Sequence, residues 1–193
     1  RITSARAARA VGILAVAVLV VTAVNGSLLN ATVWALDVPF RALDESAGAG
    51  VTQPTASTVS GGPNSLVSWD TLGNDGRDFV TRSTATDELD AFNGGNAIPP
   101  IRAYVGLQST ETSQARVALA VEELENLGAF DREVLAVGTS TGTGTVDNAA
   151  VQPLEYMYNG DIATVSMQYS YLPSWLSFLV DQQRSEDAGA ALF

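Results

Sequence analysis

Ile101-Arg102-Ala103-Tyr104-Val105-Gly106-Leu107 alternates in character and is branched or aromatic at enough positions to predict a strand. Working outward from it, Glu111 to Leu127 carries Val117, Val121, Leu124 and Leu127 at helical spacing and stops at Gly128. Val134 to Val137 predicts a second short strand. Asp147 to Tyr158 predicts a helix weakened by Pro153 inside it, Ala163 to Tyr171 alternates again, and Pro173 can open a last helix running through Val180. Strand, helix, strand, helix, strand, helix is the signature of an α/β fold with a doubly wound, mostly parallel sheet. In such sheets ligand chemistry collects in the loops at the carboxyl ends of the strands.

Upstream, Thr86 followed by Asp87, Glu88, Leu89 and Phe92 predicts a short helix with threonine as its N-cap. Gly73 to Phe79 reads as a turn. The Gly, Ser, Thr and Pro content of residues 47–66 reads as a linker or irregular surface segment. The expected division is a membrane segment over 1–43, a linker over 44–82, and the amino-terminal part of an α/β domain over 83–193. Ala10 to Leu36 holds 27 residues without a charge, and about 20 apolar residues span a bilayer core. Arg1, Arg6 and Arg9 precede it and every acidic residue follows it, which places the start in the cytoplasm and the body outside. Trp34 falls near the outer end. A cleaved signal peptide shares the basic start and apolar middle, but its apolar part is shorter and ends at a small-residue cleavage site. Three strands alone would leave apolar surface uncovered, and Asp187 to Phe193 still reads as helix, so the polypeptide is expected to extend past Phe193 and before Arg1.

The chain has no cysteine and no histidine. That removes disulfides, thiolate ligands and the usual zinc sets, so neither a metal nor a cofactor is expected. A net charge of -11 repels a phosphate backbone, and nucleic acid is not an expected partner.

Gly138-Thr139-Ser140-Thr141-Gly142 spells G-x-S-x-G after the apolar run Val134 to Val137. A serine hydroxyl needs a neighbouring base, nearly always an imidazole, to become a nucleophile. Three readings therefore stand for the segment: Ser140 as a nucleophile; Thr141, Gly142, Thr143 and Gly144 as a backbone-amide nest for an oxyanion or other anion; or a Gly/Thr loop that turns the chain. The aromatic run around Tyr169, Tyr171, Trp175 and Phe178 reads as core packing, or as the wall of an apolar acyl pocket or a patch resting on a membrane. Asp70, Asp75, Asp78, Asp147 and Asp161 read as solvated caps and turns.

Gly76-Arg77-Asp78-Phe79-Val80, Ile101 to Leu107, Thr141-Gly142-Thr143-Gly144, Pro153-Leu154-Glu155-Tyr156 and Gln168 to Trp175 together resemble the actinobacterial membrane-anchored alpha/beta-hydrolase family, from about Ser65 to the end. The resemblance implies one transmembrane helix here, followed by the first part of an extracytoplasmic hydrolase sheet. It implies that the reactive serine lies in a later G-x-S-x-G, with the acid and histidine further on, and that Gly142 to Gly144 supply an oxyanion amide. The function so implied is membrane-tethered hydrolysis of an ester or acyl substrate, with the bilayer, a lipid and other membrane proteins as partners. A non-catalytic accessory subunit and an anion-binding solute module are the alternatives.

Overall fold

A computed structural model describes residues 12–17, 20–21, 35, 38–46, 48, 50–180 and 182–192. They divide into two units, Arg1–Pro39 and Phe40–Phe193. In the first, residues 12–17 and 20–21 are helical, while Arg1, Arg6, Arg9, Trp34 and most of the expected membrane segment lie outside the described residues. Among the described residues, no helix is long and apolar enough to cross a membrane.

The second unit is built on three parallel strands, β1 (Ile101–Val105), β2 (Val134–Thr139) and β3 (Ile162–Met167), in the order β1-β3-β2. Ala103 and Val137 both lie opposite Val165 in register. The alternation in β3 suggests one polar face, yet all six residues are buried, Thr164 and Ser166 included. A central parallel strand is covered by helices on both faces, so small polar side chains are enclosed along with the apolar ones. The strand ends at Met167, short of the expected Tyr171.

Around the sheet lie α1 (Gly73–Thr81), α2 (Thr86–Asn93), α3 (Ser113–Leu127), α4 (Asn148–Met157), α5 (Ser174–Val180) and α6 (Gln182–Leu192). Helix α3 is set at both ends by its own residues. The Thr112 hydroxyl accepts from the Ala115 amide at 3.1 Å, and Gly128, at φ 74°, returns its amide to Leu124 and Glu125 in a left-handed turn that residues with a Cβ rarely adopt. Asp147 caps α4 by accepting from the Ala149 amide. Pro153 does not break α4, because the buried Val151 and Glu155 hold it against the domain.

Two expectations change. Gly73 to Phe79 is helix rather than turn: Phe79 and Val80 bury against β1, the Phe79 and Tyr104 rings lie 5.9 Å apart, and Arg77 spans Trp69, Asp70 and Glu45 carbonyls. Tertiary packing outweighs the weak helix propensity of Gly-Asn-Asp-Gly. Thr86 is the first residue of α2 rather than its cap, which falls at Ala85.

The Gly/Ser/Pro-rich stretch is irregular, and it is also packed. Val59 bridges Arg102 in parallel, the Ser60 amide donates to the Arg102 carbonyl at 2.9 Å, and the Arg102 amide donates to Thr58 at 3.1 Å, which covers the outer edge of β1. Fully buried Glu123 of α3 fastens the next turn, accepting from the hydroxyls of Ser60 (2.8 Å) and Ser65 (2.6 Å) and from the Leu66 amide (2.8 Å).

Candidate active site

From β1 the chain steps across β3 to β2, then steps back to β3, so right-handed crossovers put α3 and α4 on opposite faces of the sheet. The contacts agree: α3 packs on β1, β3 and α6, whereas α4 packs with α2 and β3. The chain leaving β2 thus turns to one face and the chain leaving β3 to the other. Such a switch opens a crevice between adjacent carboxyl ends. Here its walls are residues 140–146 and 168–174.

Ser140 begins the first wall. Its hydroxyl donates to the Met167 carbonyl at 2.8 Å, no histidine exists in the chain, and the next helix starts only at Asn148. A nucleophile elbow needs a sharp strand-to-helix turn and a base, and neither is present.

The Gly/Thr loop is wired largely to itself. Thr141 N donates to the Thr145 carbonyl (2.9 Å), Gly144 N to the Thr141 carbonyl (3.0 Å) and Thr145 N to the Thr141 hydroxyl (3.1 Å). Gly142 N donates across the crevice to the Ser174 hydroxyl at 2.9 Å. Of the amides of Thr141 to Thr145, only that of Thr143 has no acceptor among the described residues. Of the nest expected over Thr141 to Gly144, one amide is therefore open.

Asp75, expected to be a solvated turn residue, clamps this loop instead. Its Oδ2 accepts from the Thr143 hydroxyl at 2.8 Å and the Thr145 hydroxyl at 2.6 Å. Gln168, the first residue after β3, donates to the Thr143, Ser170 and Asp44 oxygens. Tyr104, fully buried in β1, donates to the Gly144 carbonyl at 2.8 Å. Burial first, and then Asp75 and Asp44, push its phenol well above the ordinary 10.0, so it remains a neutral donor.

Beside the loop lies a cavity of about 300 Å³. Its polar lining is Asp44, Asn74, Asp75, Thr143 and Thr145, and its apolar lining is Phe40, Leu43 and Tyr171. Burial lifts the Asp44 carboxyl above the ordinary 3.8; Asp75 adds to the rise, and the Gln168 amide, the Asn74 amide and Arg77 oppose it. A group whose pKa rises on folding holds its proton more tightly in the folded state. Stability therefore falls as pH climbs from the ordinary value through the raised one. Asp44→Asn keeps an oxygen for the Asn74 and Gln168 amides and removes the charge. Thermal unfolding is expected to show it more stable than the parent near neutral pH, with the difference vanishing below pH 3.8.

The aromatic run divides. Tyr169 packs partly buried against the core and lines a second cavity, of about 380 Å³, with Glu111, Arg116 and Asp187. Tyr171 lines the smaller cavity, while Trp175 and Phe178 are 66% and 64% exposed on α5. Core packing thus describes Tyr169 alone. Sequence reasoning missed Asp44 and Asp75 as site residues. Their chain neighbours carry no motif, and the loop they face is nearly 70 residues from Asp75, as the Thr143 and Thr145 bonds show.

Residues 101–193 match the model of an alpha/beta-hydrolase family, the match starting on the first residue of β1. Residues 1–83 match the model of that family's N-terminus. Both models describe one alpha/beta-hydrolase family. No curated protein and no solved structure matches the chain. The parallel three-stranded sheet with helices on both faces is consistent with an alpha/beta hydrolase. Open parallel sheets bind ligands in crevices of the kind that residues 140–146 and 168–174 line here.

Proposed function

We propose that these residues form the amino-terminal part of a membrane-tethered serine hydrolase that cleaves an ester or acyl bond outside the cytoplasmic membrane. The observation that carries this reading is the alpha/beta-hydrolase match over residues 101–193, a stretch that folds as strands and helices alternating about a parallel sheet. With Ser140 bonded to a carbonyl and no imidazole in the sequence, the reactive serine, its acid and its histidine come from polypeptide outside these 193 residues. The one open amide of the expected nest, that of Thr143, stands beside the Asp75 carboxylate, which opposes an oxyanion there, so the oxyanion donors are assigned with the triad to polypeptide outside these residues. The 27 uncharged residues from Ala10 to Leu36, with arginines before them and acids after, support the tether and its orientation. The bilayer is then a partner, and a lipid ester becomes accessible as substrate.

A fluorophosphonate probe applied to the full gene product is expected to label one serine, in material that stays with membranes through an alkaline carbonate wash. Ser140→Ala should label like the parent. Loss of labelling in Ser140→Ala, or labelling of the 193-residue chain by itself, overturns the assignment.

A further inference from the structure

The wall of the cavity beside the Asp75 clamp buries an acceptor that the protein leaves unused. Asp44 is only 9% exposed, its Oδ1 accepts from the Asn74 amide at 3.3 Å and from Gln168 Nε2 at 3.1 Å, and its Oδ2 is buried with no partner. A buried carboxylate oxygen without a donor is unfavourable, and nearby Asp75 adds a second negative charge. Arg77 offsets the Asp44 charge only through space, since its guanidinium donates its hydrogen bonds to the Trp69, Glu45 and Asp70 carbonyls. Asn74, Thr143 and Thr145 complete the polar lining, and the apolar lining is Phe40, Leu43 and Tyr171, two rings and an aliphatic side chain.

We propose that this cavity binds the primary ammonium group of a ligand between Asp44 and Asp75, with the ligand's alkyl part against Phe40, Leu43 and Tyr171. An ammonium brings three donors and a positive charge, which supplies Asp44 Oδ2, offsets Asp75 and is attracted to the faces of the two rings. An anion would meet two carboxylates. A hard metal ion takes six or more oxygens, and among the described residues no group of three acidic side chains could hold one. The inference rests on the hydrolase reading only in making the occupant a substrate; the binding chemistry comes from the cavity itself.

The test is calorimetric titration of the full chain, in non-ionic detergent, with n-butylammonium chloride, butan-1-ol and calcium chloride at matched ionic strength. Saturable binding of butylammonium is expected, weakened at least tenfold in Asp44→Asn and in Asp75→Asn, with no saturable binding of butan-1-ol. Because Asp44→Asn is expected to be more stable near neutral pH, lost binding there is not lost fold, and thermal unfolding of both variants checks this. Equal binding of butan-1-ol, unchanged affinity in both folded variants, or calcium displacing the amine overturns the proposal. None of these outcomes bears on fluorophosphonate labelling, so the two readings fail separately.

Discussion

Replacing Arg102 with methionine is expected to lower stability by about 3–5 kcal/mol, enough to abolish cooperative unfolding in a marginally stable domain. Arg102 lies in β1 with its side chain fully buried; its Nε donates to Glu155 Oε1 at 2.7 Å, and its Nη1 donates to the Phe79 carbonyl and Asn148 Oδ1, each at 2.7 Å. The guanidinium also sits 4.9 Å from the centre of the Phe79 ring. Glu155 in turn accepts from the Thr84 amide at 3.0 Å and from the Thr84 hydroxyl. One ion pair therefore ties β1, α1, α4 and the loop before α2. Removing either partner leaves the other charge buried and uncompensated, which is the costly case. Arg102→Met combined with Glu155→Leu should recover a large part of the loss. It will not recover all of it, since Thr84 and the Phe79 carbonyl stay unpaired. Chemical denaturation of the two single variants and the double variant measures this non-additivity; additive losses would mean that the two side chains act independently.

Gly142→Ala is expected to cost about 1–3 kcal/mol and to part the two walls of the crevice. A Cβ at residue 142 would stand 2.1 Å from the Leu172 carbonyl oxygen and 2.9 Å from the Ser174 amide, both of them backbone atoms that cannot rotate aside. The Gly142 amide bond to Ser174 would go with the displacement. Because the Asp75 clamp and the Gln168 contacts lie on the same loop, exchange of the hydrogen-bonded Gly144 and Thr145 amides should quicken in this variant. Exchange as slow as in the parent would mean that the loop is held without the Gly142 junction.

What sequence could read follows from the range over which each signal acts. Thr112 and Asp147 accept from amides, and Gly128 donates to carbonyls, all within four residues, so these helix ends are legible in the chain itself. The β1, α3, β2, α4, β3 order is likewise written in local periodicity, whereas the alpha/beta-hydrolase reading comes from the resemblance of whole sequence blocks and from the family match over residues 101–193. Gly73 to Phe79 misleads because its helix depends on β1 and Trp69, which composition cannot show.

The site is the opposite case. Its motif, G-x-S-x-G, is present in sequence, but in place the Ser140 hydroxyl donates to the Met167 carbonyl and no helix follows at once. Its polar side chains come from four separate segments: Thr143 and Gln168 follow strands that the order β1-β3-β2 sets side by side, and Asp44 and Asp75 reach them from residues ahead of β1. Local propensity and capping act over a few residues and so determine elements. The meeting of carboxylates and hydroxyls is decided by which strand ends lie side by side, and that depends on packing the whole sheet.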